Sequence, residues 1–165
     1  AEDGSEVAVA FSVVRARFDL YPEGRVQTLT HHTPEHVWQD RYITRDNGIS
    51  GLNEIVYAVP NPADSAARFA QFTGRPPTET KNGAEIILDR GKLTFAIPQN
   101  LIATLGITVP DHLPSIAAIG LVSQDLAQTI SFLKGRKIDY VVSNKATLVI
   151  APQEALGVTL IISGE

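Results

Sequence analysis

Residues 58–75 read AVPNPADSAARFAQFTGR, and residues 121–136 read LVSQDLAQTISFLKGR. Laid side by side, they follow one order: the end of an apolar strand, a polar cap, a helix with a late phenylalanine, and a glycine-arginine stop. In the first copy Asn61 is the cap and Pro62 the first helical residue, because proline fixes a helical φ where no amide donor is needed. Ala63, Ala66, Phe69, Ala70 and Thr73 form one stripe of that helix, and Gly74 ends it. In the second copy Asp125 or Ser123 caps, Leu126, Ile130 and Leu133 form the stripe, and KGRK closes the helix.

The flanks repeat as well. Strands are expected at 54–59 and 116–122 before the helices. After them come 84–88 and 92–97 in one copy, joined by a DRGK turn, and 138–142, 146–150 and 158–162 in the other. FAIPQNL and VIAPQEALG echo each other, and the stretch 98–114 connects the copies. An internal repeat of this kind is stronger fold evidence than any short motif. A unit of about 50 residues buries too little surface to stand alone. Two such units therefore share a core, forming a partly closed sheet with a central cleft. The fold class is α+β, with a first βαβββ module over 51–112, a second over 113–165, and a linker over 33–50. Residues 1–32 remain: strands at 7–18 and 25–31 around the turn YPEG make a β-hairpin, the end of an incomplete module.

The composition is that of an ordinary globular chain, 44% hydrophobic and 19% charged over 165 residues. A net charge of −4 with scattered lysines and arginines excludes nucleic acid as the main partner. No apolar run approaches the ~20 residues of a membrane span. There is no cysteine, hence no disulfide, thiolate metal site or cysteine nucleophile. The start lacks the basic and apolar segments of a signal peptide, so a mature or truncated cytoplasmic chain is expected. No Gly-rich phosphate loop and no Gly-x-Ser-x-Gly elbow occurs.

The repeat, with GLNEIVYAVPNPADSAARFAQFTGR (51–75) as its best copy, resembles the vicinal-oxygen-chelate superfamily, in particular its glyoxalase-like proteins. RVQTLTHHTPEHVWQDRY (25–42) and IAPQEALGVTLII (150–162) resemble segments of the same proteins. The resemblance covers residues 25–162 and implies paired glyoxalase/bleomycin-resistance-like βαβββ modules in a curved mixed sheet. It also implies that this is the C-terminal portion of a longer protein. Active members hold one divalent metal (Zn, Ni or Fe) on the first and last strands of each module. They carry out lyase, isomerase or dioxygenase reactions on small oxygenated substrates. At those positions this chain has Glu54 in one module and Ala117 or Ala118 in the other, with Thr94 and Thr159 on the last strands. Alanine does not ligate and a neutral hydroxyl ligates poorly, so the two complete modules lack a full metal site.

His32-Thr33-Pro34-Glu35-His36 spells H-x-x-E-H, a zinc-protease string. Its geometry fails: Thr33 and Pro34 should start a helix, which leaves His32 extended and His36 in the first turn. The remaining candidates are His31 and Glu54 as metal donors, each weighed against a packed or solvated role, with Glu54 read as a wet strand-end carboxylate. His32, Trp38, Arg41 and Tyr42 form a candidate group for stacking and pairing with a planar ligand, against the plainer role of Trp38 as an anchor for the linker. His112 lies in an exposed loop. Three functions stay open: a metal-dependent glyoxalase-like activity completed by modules outside this chain, a metal-free module binding a small molecule, and a structural half that forms a homodimer through open sheet edges.

Overall fold

In a computed structural model that describes residues 6–43, 45–144 and 147–165, the chain divides into two units, Ala1–Thr44 and Arg45–Glu165. The first holds an antiparallel hairpin of β1 (Phe11–Arg15) and β2 (Gln27–His31), with Phe11 opposite His31 and Val13 opposite Leu29. The first strand is shorter than its β-branched composition suggests, because the chain turns into a 3-10 segment at Phe18–Leu20. The helix expected from Thr33-Pro34 is only a 3-10 turn, Pro34–His36. Its cap is missing because Thr33 Oγ1 accepts from the Ala10 amide at 3.0 Å, which ties the hydroxyl to the hairpin.

The second unit is an eight-stranded mixed sheet. Its first repeat supplies β3 (Ile49–Ala58), α1 (Pro62–Thr73), β4 (Thr78–Thr80), β5 (Gly83–Ile87) and β6 (Lys92–Ala96). After α2 (Pro98–Leu105), the second repeat supplies β7 (Ser115–Ser123), α3 (Leu126–Arg136), β8 (Val141–Asn144), β9 (Thr147–Ile150) and β10 (Thr159–Gly164). The strand order is β4-β5-β6-β3-β7-β10-β9-β8. β3 pairs β6 and β7 pairs β10 in parallel, while β3 and β7 meet antiparallel at the centre. Each repeat is thus a βαβββ module, and the modules join first strand to first strand. Of the strand expected over 146–150, Thr147–Ile150 forms β9, and Ala146 lies outside the described residues.

The caps behave as the repeat predicts. Asn61 Oδ1 accepts from the Asp64 amide and Gly74 closes α1 with φ 68°. Asp125, rather than Ser123, caps α3, accepting from Ala127 and Gln128. The stripe of α1 is rotated from the expected one: Ser65, Ala66 and Phe69 are buried and Ala63 is exposed. Two elements were not anticipated. β4 completes the first module as a short, exposed edge strand. The connector over 98–114 contains α2, which uses the same signals as the other helices: Pro98 at its first position and Gly106 at its end with φ 64°.

Alternation sorts the sheet into two faces. Tyr57, Phe69 and Phe95 cluster on the outer face under α1, with Tyr57 stacked on Phe95 at 5.2 Å. Leu133 of α3 packs there on Leu148, Ile150 and Ile162. The inner face carries α2, whose Leu101 is 2% exposed and packs with Val56, Ala58, Ala96, Ala117 and Ala118. Helix α2 therefore fills part of the cleft that the paired modules were expected to leave open.

Candidate functional site

The inner face is read from the strand register. In β3, Glu54 lies opposite Lys92 of β6 on one side and Gly120 of β7 on the other. Val56 lies opposite Thr94 and Ala118. Glu85 of β5 faces Thr94. Because Glu54 pairs with Gly120 and Val56 with Ala118, the local two-fold between modules makes Ala118, not Ala117, the counterpart of Glu54. The same rotation relates Lys92 to Thr159, which lies beside Ala118, and Thr94 to Ile161, which lies beside Gly120. Thr94 and Thr159 are thus not equivalent positions.

Glu54 is not a wet strand-end carboxylate. Its side chain is only 22% exposed, and it accepts from Thr94 Oγ1 at 2.5 Å. The Lys92 ammonium sits 3.4 Å from Glu54 and 3.3 Å from Glu85. Burial works against the charge of Lys92, but the two carboxylates outweigh it and hold its pKa above the usual lysine value. An ammonium so placed remains charged throughout the neutral range and does not act as a free amine nucleophile.

This donor set does not fit a divalent metal. The last-strand position of the first module is Thr94 and its counterpart is Ile161, so the four symmetry-related positions hold Glu54, Thr94, Ala118 and Ile161: one carboxylate, one hydroxyl and two apolar side chains. Protein metal sites use three or four strong donors. No group of three or more histidine, aspartate or glutamate side chains converges among the described residues. The one carboxylate is already committed to the Lys92 ammonium and the Thr94 hydroxyl.

Three cavities line the inner face, and Leu105 at the end of α2 borders all of them. One of about 330 Å³ lies over Glu85, Lys92 and Thr94. One of about 250 Å³ lies over Asn53, Glu54, Gly120, Ile161 and Ser163. The third, about 220 Å³, is walled by Ile107, Val141, Val149, Pro152 and Thr159. The second and third also share Ser143 and Val149. Two polar atoms here are buried without a hydrogen-bond partner, Asn53 Oδ1 and Thr159 Oγ1. Gly120 leaves room for the first, since a Cβ there would lie 2.6 Å from Asn53 Oδ1 and 2.7 Å from Glu54 Cβ.

The other candidates belong to the first unit. The His31 ring meets Phe11 and Trp38 edge-on, at 6.5 and 5.7 Å, and its Nδ1 is buried without a partner. Trp38 is 74% exposed. His32 Nε2 and Ser12 Oγ share a hydrogen bond of 2.7 Å. The Arg41 guanidinium covers the Tyr42 ring at 4.8 Å. His36 lies in the 3-10 turn next to Glu35, and His112 is exposed before β7. The sequence reading missed Lys92, Glu85, Asn53 and Gly120. Their signal was alternation: Lys92 and Thr94 interrupt the apolar KLTFAI at every second position, which puts both on the face opposite Phe95.

Two βαβββ modules joined through their first strands make the vicinal-oxygen-chelate fold. The solved structures agree. The chain is similar to methylmalonyl-CoA epimerase from Mycobacterium tuberculosis, with a TM-score of 0.54 at 14% identity over 76% of this chain and 95% of that one. It is similar to a Streptomyces coelicolor methylmalonyl-CoA epimerase variant in complex with 2-nitronate-propionyl-CoA, TM-score 0.53 at 10% identity over 71% and 98%. A hypothetical protein from Bacillus halodurans gives 0.51 at 14% identity over 70% and 94%. At these identities the shared property is the fold. No protein-family model matches the chain, and a search of curated proteins finds no match.

Proposed function

We propose that the second unit is a vicinal-oxygen-chelate-type binding module that takes a small, uncharged organic molecule on its inner face without a metal of its own. One observation carries this reading: Glu54, the one carboxylate among the four donor positions, is already bound by the Lys92 ammonium and the Thr94 hydroxyl. The cavities supply space for a ligand, and the unpartnered Asn53 and Thr159 supply groups to orient one. A CoA thioester such as methylmalonyl-CoA, named for the similar structures, carries a carboxylate and phosphates. Lys92 and Lys81 are the only cations among the described lining residues of the three cavities, and Lys92 is already shared by two carboxylates. That balance favours a neutral ligand.

The test is an NMR titration with a small-fragment collection in the presence of a chelator. Binding should perturb the amides of Asn53, Glu54, Thr94, Gly120 and Ile161. If no fragment perturbs this face, or if every one requires an added divalent metal, the reading fails. A second reading is a metal-dependent lyase, isomerase or dioxygenase reaction with donors outside the two modules. The buried, unpartnered Nδ1 of His31 favours it. Stoichiometric Zn²⁺, Ni²⁺ or Fe²⁺ binding that is lost in His31→Ala would establish it over the first.

A further inference from the structure

We propose that Thr159 is the polar anchor of the cleft, its hydroxyl left unpaired in the free chain to donate a hydrogen bond to the oxygen of a compact, neutral carbonyl compound in the 220 Å³ cavity. This rests on the metal-free binding reading and adds to it a subsite and a ligand class. Thr159 is 0% exposed, and its Oγ1 has no hydrogen-bond partner. A buried hydroxyl without a partner destabilises the free fold, whereas valine has the same shape and lacks that cost. β10 otherwise reads as a run suited to such a substitution, with Leu160, Ile161 and Ile162 following directly. The fold thus places a hydroxyl where a methyl would serve it better, on a residue that lines the cavity; its Oγ1 is covered in the free chain, so a ligand reaches it by displacing the side chains over it.

The walls define the ligand. Leu105, Ile107, Val141, Val149 and Pro152 are apolar, and no described lining residue of this cavity is charged. A carboxylate or an amine would meet no counter-ion among the described lining residues, and its desolvation would go uncompensated there. A cavity of roughly 150 Å³ holds benzene, so 220 Å³ admits a six-membered ring bearing a carbonyl oxygen. The hydroxyl stands on the first residue of β10, which pairs with Ala118 of β7, while β9 pairs with β10 from Leu160 onward. Of the two roles open to it, donor and acceptor, the donor role suits a ketone or ester oxygen.

The experiment uses cyclohexanone and methylcyclohexane, two probes of similar shape of which only the first has an acceptor, in the presence of a chelator. NMR shifts of the Thr159 and Ala118 amides follow binding to wild type, Thr159→Val and Thr159→Ser, and thermal melts follow each free protein. The affinity for cyclohexanone relative to methylcyclohexane should fall by about five- to tenfold in Thr159→Val, the worth of one hydrogen bond. Thr159→Val should melt no lower than wild type. Thr159→Ser should keep the wild-type ratio. A free Thr159→Val protein that melts clearly lower would mean that the hydroxyl is already satisfied, by an internal water for instance, and would overturn the proposal. So would a ratio of the two affinities that Thr159→Val leaves unchanged, or one that Thr159→Ser lowers as far as Thr159→Val does. If neither probe shifts these amides while other fragments still shift Glu54 and Thr94, this proposal fails and the binding reading stands. Silence across the whole inner face would overturn both.

Discussion

The central seam of the sheet sets a sharp test at Gly120. This residue lies on β7 opposite Glu54, in ordinary strand conformation, so an alanine meets no backbone strain of its own. The difficulty is space. The new methyl would stand 2.6 Å from Asn53 Oδ1 and 2.7 Å from Glu54 Cβ, both inside van der Waals contact. The amide oxygen can swing away, but Glu54 Cβ is fixed to the backbone of β3, so the two central strands must part by several tenths of an ångström. Overpacking of this sort costs about 1–3 kcal/mol. Replacing a strand glycine returns roughly 0.5–1 kcal/mol through the unfolded chain. The net expectation for Gly120→Ala is a loss centred on about 1 kcal/mol and reaching at most about 2.5 kcal/mol, read by urea unfolding. Gly135 supplies the control: it lies in α3 with nothing within 4 Å of an added Cβ, and Gly135→Ala should stabilise by roughly 0.5–1 kcal/mol. The strain should also loosen Glu54 from Thr94, visible as an NMR shift at Thr94. A Gly120→Ala protein as stable as wild type, with Thr94 unmoved, would refute the packing described at the seam.

Other outcomes follow from the same geometry. Lys92→Met should lower stability at neutral pH by no more than about 1 kcal/mol, since the Lys92 side chain is 37% exposed and its ion pairs are partly screened. The raised pKa of Lys92 makes its contribution complete below the ordinary value of 10.5 and lost as pH rises through the folded value; the gap between the two proteins should therefore hold constant to about pH 10 and narrow above it. Leu101→Ala, which removes the side chain that docks α2, should cost about 2–5 kcal/mol by denaturant unfolding and enlarge the cavity over Thr94. Asp125→Ala should cost about 0.5–2 kcal/mol, because the Ala127 and Gln128 amides lose their acceptor.

The repeat was legible because its signals are local. Asn61-Pro62 and Asp125 set the helix starts, Gly74 sets a stop, and apolar runs with turn residues between them mark strands. Those features place βαβββ twice without knowledge of any distant contact. Helix α2 carried the same local signals, yet the stretch 98–114 was read only as the connection between the two copies. Thr33 shows the converse: its cap signal was sound, but the hairpin claimed the hydroxyl through Ala10. The site was harder to see because it depends on register. A sequence gives the period of a strand but not which residue lies opposite, so Glu54 appeared alone until Lys92 and Glu85 were brought beside it. Unpaired atoms such as Thr159 Oγ1 are invisible to sequence altogether, since any buried threonine can find a partner in one packing and lack it in another.

The most direct test of the account is the dissociation constant of the strongest-binding fragment, measured on wild-type protein first with a chelator and then with excess Zn²⁺ or Ni²⁺. With Lys92 held between Glu54 and Glu85, the two values should agree within error, with the fragment in contact with the inner face in both. Affinity that appears only with the metal, or rises tenfold or more on its addition, would contradict the account.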